Sequence, residues 1–148
     1  MWESFFLDFF DSVAEPLGVV VRAWGCREGW LQGELFRYGR DRKLRVNEYS
    51  LGGNKKADLC SFDEPRMVAE IKILGPDYNA KGRYALDADV ERLRAIEDAE
   101  LERYMILVVP LSPVESSLGR YLTGVCYSSH CAEREYPAFK LRLWRLDC

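Results

Sequence analysis

A mixed α/β domain, with one sheet and helices laid against it, is what this sequence predicts, and three observations carry the prediction. Apolar residues recur at helical spacing up to about residue 38, then switch to the two-residue period of strands from Arg42 onward. A further helical pattern follows those strands. It leads into YMILVVPL, an uninterrupted apolar run of the kind expected for a central strand covered on both faces.

The chain has 148 residues, 48% of them hydrophobic, enough to bury one core and to read as a single domain over 1–148. Trp2, Phe5, Phe6, Phe9 and Val13 form one stripe of an amphipathic helix at about 2–14. That stripe either packs on the core or offers a face to a homodimer or protein partner. Glu3, Asp8 and Asp11 interrupt the aromatic run and no basic leader precedes it, so a signal peptide fits poorly. A second helix is expected over 27–38, where Trp30, Leu31, Leu35 and Tyr38 share a face, although Gly29 and Gly33 each weaken it by about 1 kcal/mol.

Three antiparallel strands come next: KLRVNEY, KADLCSF after the Gly-Gly-Asn turn, and MVAEIKIL after the Asp-Glu-Pro-Arg turn. From about Arg83 to Glu100, Leu86, Val90, Leu93 and Ile96 line one side of a helix. The apolar strand follows. Ser112, Pro113 and Glu115 then mark the start of a short helix, and AFKLRLWRL closes the chain as an edge strand with one wet face.

Charge narrows the choice of function. With 24 acidic and 21 basic residues the net charge is −3, so no global positive field draws in a polyanion and any nucleic-acid contact needs a local basic patch. The five cysteines are widely spaced and odd in number, which suits a reducing compartment, the cytoplasm. No apolar run reaches membrane-spanning length.

The run VAEIKIL carries the chemistry. Alternation along a strand places Val68, Glu70, Lys72 and Leu74 on one face and Ala69, Ile71 and Ile73 on the other. A register setting Asp58 opposite Glu70 or Lys72 gathers the three charges on that face. Two carboxylates a few ångströms apart repel unless a cation lies between them, and Mg²⁺ favours carboxylate, carbonyl and water oxygens. A neighbouring ammonium can orient an attacking water and stabilise charge growing on a phosphate. The plain alternative is a strand ion pair, worth about 0.2–1 kcal/mol.

KKADLC, a short turn, VAEIKIL and an upstream helix bearing Glu34 come in the order of the PD-(D/E)XK nuclease superfamily, and over roughly residues 27 to 110 the chain resembles that family. The resemblance implies a restriction-endonuclease-like fold, an αβββαβ core whose mixed β-sheet is flanked by helices. It also implies a nuclease hydrolysing phosphodiester bonds, of DNA rather than RNA, with Mg²⁺ or Mn²⁺ as cofactor. In that pattern Asp58 matches the acid of the second strand, Glu70 and Lys72 the E-x-K pair of the third, and Glu34 the acid of the preceding helix. Asp58, Glu70 and the backbone carbonyl of Ile71 would then be metal ligands and Lys72 the water-orienting residue. Ala57 stands where the family commonly has proline, and no Gln-x-x-x-Tyr signature is present. DADVERL resembles the helix several such families carry after the E-x-K strand; its charges otherwise make an ordinary solvated face.

Lys55, Lys56 and Lys81 are candidates for phosphate contact, with Tyr78 or Tyr84 for stacking. Cys126, His130 and Cys131 lack the spacing of a zinc site, and Cys26, Cys126, Cys131 and Cys148 lack that of a compact iron–sulfur site. The competing class is a nuclease-like domain without turnover, serving as a protein-interaction or nucleic-acid-binding module.

Overall fold

The computed structural model describes residues 1–23, 27–74, 80–111 and 126–146, with 80–84 described in backbone only. Among them are three α-helices: α1 (Trp2–Val20), α2 (Arg27–Tyr38) and α3 (Ala80–Arg94). The strands are β1 (Arg45–Val46), β2 (Ser50–Gly52), β3 (Lys55–Lys56), β4 (Leu59–Ser61), β5 (Met67–Ile73), β6 (Glu102–Pro110), β7 (Cys131–Glu135) and β8 (Phe139–Leu146). Six form one mixed sheet in the order β1-β4-β5-β6-β8-β7, while β2 and β3 make a separate hairpin. Among the described strands only β5 and β6 pair in parallel, and that geometry needs a crossover, which the segment containing α3 provides.

Each face of the sheet carries its own core. Met67, Ala69, Ile71 and Ile73 of β5 join Ile106 and Val108 under α1 and α2, whereas Val68 and Leu74 join Met105, Leu107 and Trp144 under α3. The two-residue alternation read from VAEIKIL is therefore the one observed. Glu70 and Lys72 look toward α3.

α1 runs past its expected end at about residue 14 and passes through Pro16. An interior proline costs about 3 kcal/mol. The stripe nevertheless continues through Leu17 to Val21, both buried, and each such burial contributes about 1.5–3 kcal/mol. Phe6 packs edge-on to Tyr104 at 5.4 Å and Phe10 lies 6.5 Å from Phe139, so the stripe is occupied inside the chain. α2 matches its expected bounds.

Other boundaries moved for identifiable reasons. Lys43 and Asn47 both adopt positive φ, which turns the chain at each end of β1 and cuts the expected strand 43–49 to Arg45–Val46. α3 ends at Arg94 instead of near Glu100, and the buried guanidinium of Arg103 donates to the carbonyls of Ile96, Asp98 and Leu101 in the loop that follows. The helix expected from Ser112 lies outside the described residues. β8 is not the edge expected of it: β7 covers it, and β7's outer position suits its charged CAERE sequence. Among the described residues no helix is long and apolar enough to cross a membrane.

Gly39 closes α2 against the turn leading to β1. A Cβ there would lie 2.7 Å from the Leu44 Cβ and 3.1 Å from the Leu35 carbonyl oxygen. Gly39→Ala should destabilise the fold by about 1–3 kcal/mol, the usual range for overpacking, as read by urea denaturation.

Candidate active site

The site begins with a gap in hydrogen bonding. The Leu74 N–H donates to the Val108 carbonyl of β6 at 3.0 Å, so alternation turns the N–H groups of Ile71 and Ile73 to the opposite edge of β5, toward β4. The ladder with β4 stops at Leu59 opposite Ala69. Beyond it the chain bends at Asp58: Ala57 packs in the α3-side core and Leu59 in the other, although residues two apart on a straight strand would share a face. Ile71 and Ile73 therefore lack strand partners on that edge.

Carboxylates take their place. The Ile71 N–H donates to Asp58 Oδ2 at 2.8 Å, and the Ile73 N–H donates to Glu28 Oε1 of α2 at 3.1 Å. The Ile71 carbonyl leaves the strand on this same edge, because one residue's N–H and C=O point the same way in an extended chain. It thus sits between two carboxylates. Gln32 of α2 donates through Nε2 to Asp58 Oδ1 at 2.7 Å, so both Asp58 oxygens are held and the carboxylate plane is set.

Extending the β4–β5 register by one residue puts Asp58 opposite Glu70, one of the two pairings the sequence predicts. Glu70 is only 6% exposed. Burial pushes its carboxyl from 4.5 up to about 9, reinforced by a hydrogen bond with Asp58, by the Asp58 charge and by the more distant Asp89 charge, with Arg92 opposing. At neutral pH Glu70 accordingly holds a proton and shares it with Asp58. In a carboxyl pair joined this way, with Glu70 buried and Asp58 half-buried, a cation can take the place of the shared proton.

Lys72, two residues on and on the same face, places Nζ 3.5 Å from Asp89 Oδ2 of α3. The other Asp89 oxygen accepts from Arg92, one helical turn along. Among the described residues no three Asp, Glu, His or Cys side chains converge on one point. The donor set is instead two carboxyl groups and a backbone carbonyl, which fits Mg²⁺, an ion that commonly keeps several waters and takes one or two protein carboxylates.

The predicted site residues fare differently. Asp58 comes together with Glu70 and the Ile71 backbone, while Lys72 shares the strand face of Glu70 and pairs with Asp89. Glu34 does not join them: it is bonded to Arg37 at 2.8 Å, and α2 turns Glu28 and Gln32 to the strand edge in its stead. Those two are one turn apart, whereas Glu34 is offset around the helix from Glu28 by roughly a third of a turn. Lys55 and Lys56 are exposed on the β2–β3 hairpin, which packs through Tyr49 and Leu51 onto the α3-side core, the side that Glu70 and Lys72 face. The side chains of Lys81 and Tyr84, and all of Tyr78, lie outside the described residues. Glu28, Gln32 and Asp89 went unassigned in the sequence; the i,i+4 spacing of the first two beside the buried Leu31 and Leu35 was the available signal.

Comparison with protein-family models, with curated proteins and with solved structures finds no match to this chain.

Proposed function

We propose that this chain is a metal-dependent nuclease with a restriction-endonuclease-like arrangement, hydrolysing phosphodiester bonds of DNA rather than RNA. The observation that carries the reading is the contact between the half-buried Asp58 and the buried Glu70, with Lys72 on the same strand face as Glu70. The order of elements around it, a helix, three antiparallel strands, a helix and a parallel strand, supports the fold assignment. Free cysteines at Cys60, Cys126 and Cys131 suit a cytoplasmic setting.

Asp58 and Glu70 would hold Mg²⁺ or Mn²⁺ together with the Ile71 carbonyl. The bound ion supplies Lewis acidity to a phosphoryl oxygen and makes water a better nucleophile. Gln32 and the Ile71 N–H keep the Asp58 carboxylate in one orientation throughout. Glu70 would release its shared proton in order to act as a ligand. Lys72 donates a hydrogen bond through Nζ, either to the attacking water or to the non-bridging oxygen on which negative charge grows. Water oxygen bonds to phosphorus and loses a proton to solvent as the phosphorus–oxygen ester bond breaks, and the departing alkoxide takes a proton from solvent. Lys55 and Lys56 offer charge to flanking phosphates.

Nicking of supercoiled plasmid DNA with Mg²⁺ or Mn²⁺, stopped by chelator, is the expected result. Metal-independent retention of DNA without any cleavage would move the assignment to a binding module. Within the site, Gln32→Ala should cost about 10–100-fold in metal affinity or rate, as loss of an orienting partner commonly does. Glu34→Ala should leave both within about two-fold, since its partner is the exposed Arg37. Equal losses from both variants, measured by initial rates, would contradict the placement of α2.

A further inference from the structure

We infer that Asp89 of α3 is a positioning residue for Lys72, its carboxylate holding the lysine ammonium at the Asp58–Glu70 pocket before substrate arrives. The inference deepens the nuclease reading and rests on it for its kinetic test.

A lysine carries about 2 kcal/mol of side-chain rotamer entropy, so on a partly open strand face an unheld Nζ spreads over several positions. Lys72, with its side chain 27% exposed, is such a residue. The nearest carboxyl on its own strand, Glu70, is engaged with Asp58. Asp89 meets the ammonium from the facing helix at 3.5 Å. Its two oxygens are divided, Oδ2 to Lys72 and Oδ1 to Arg92, so neither cation displaces the other. Asp89 is only 7% exposed, and Leu86, Val90 and Leu93, all fully buried, fix α3 against the sheet on either side of it.

A solvated helix face does not account for this arrangement. Charges on such a face are exposed and their pairs contribute about 0.3–0.5 kcal/mol. A buried carboxylate costs several kcal/mol unless it is well paired, and here the pairing reaches across from α3 to the strand bearing the candidate cation seat. The result is a division of labour between carboxyl groups: Asp58 and Glu70 for the cation, Asp89 for the ammonium.

The test is made on the full chain as wild type, Asp89→Asn, Lys72→Ala and the double variant. The first readout is the ¹⁵N spectrum of the lysine side-chain amines, in which the Lys72 signal is identified by its loss in Lys72→Ala. The second is the steady-state kcat and KM of cleavage with Mg²⁺. A held ammonium gives a Lys72 signal that broadens away in Asp89→Asn. The same variant should lower kcat by about 10–100-fold with KM changed less than about two-fold, and add nothing in the Lys72→Ala background. A Lys72 signal unchanged in Asp89→Asn would overturn the inference, as would equal rate losses in both backgrounds. If the wild type does not cleave, the nuclease reading fails by itself and the amine spectrum alone decides the positioning. Should Asp89→Asn not fold, Asp89→Glu keeps the charge and moves it by one methylene; a displaced Lys72 signal supports the inference and an unmoved one overturns it.

Discussion

Lys72→Ala is expected to lower cleavage by about 10²–10³-fold, the range seen when a donor to developing transition-state charge is removed, with fold and metal affinity close to wild type. The side chain is partly exposed and belongs to neither hydrophobic core. Its removal leaves Asp89 with Arg92 as a partner, so no buried carboxylate is stranded. Asp58, Glu70 and the Ile71 carbonyl are untouched. Single-turnover cleavage and thermal melting read the two halves of this expectation separately. Unchanged cleavage would remove Lys72 from the chemistry. Lost cleavage accompanied by a large fall in melting temperature would instead make the lysine a structural ion-pair partner.

Glu70→Gln is the second variant with a large effect, and it acts on stability and metal binding together. Burial and the Asp58 carboxylate raise the Glu70 carboxyl from 4.5 to about 9, so between those values the folded chain keeps a proton that the unfolded chain has released. The folded state binds more protons in that window. Its stability is therefore fully present below about pH 4.5 and is lost as pH rises through about 9, with a slope of at most about 1.4 kcal/mol per pH unit from this group. Glu70→Gln keeps an amide that can donate to Asp58 and removes the proton equilibrium. Its denaturation free energy should exceed that of wild type at about pH 8.5, and the excess should shrink toward about pH 5. Metal binding in the wild type must expel the same proton, so affinity should rise by up to tenfold per pH unit below about pH 9. Parallel pH profiles of stability for wild type and variant would contradict the assignment of the buried proton to Glu70.

Much of the fold could be read before any coordinates because periodicity and burial agree. YMILVVPL became β6, buried along nearly its whole length, and 27–38 became α2, because each run has a pattern that only one kind of element satisfies. β7 escaped notice because CAERE is short and charged: its place at the sheet edge is set by pairing with β8 and leaves little apolar signature. The same absence of signature made β8 look like the edge. The aromatic stripe marks a helix only to about residue 14, while the burial of Leu17 and Val21, a tertiary effect, carries α1 through Pro16.

The site was half legible, for a related reason. Glu70 and Lys72 share a strand, and two-residue alternation fixes their common face without further information. Asp58 was named from its neighbours along the chain, but its role as the partner of the Ile71 N–H depends on a bend after which β4 no longer covers β5. On α2 the family resemblance points to Glu34. The buried stripe of Leu31 and Leu35 sets which side chains reach the strand edge, and it selects Glu28 and Gln32. Asp89 looks like one charge among several on an amphipathic helix; its distinction is burial against a strand 17 residues earlier, which local spacing does not encode.

The most direct test of the cation seat is calorimetric titration of Mn²⁺ into the wild-type protein and into Asp58→Ala at about pH 8, in buffers of different ionisation enthalpy. The wild type should bind one ion per chain with release of a proton, and Asp58→Ala should show no binding in the same range. Absence of binding to the wild type, or binding of equal strength to Asp58→Ala, would contradict the account.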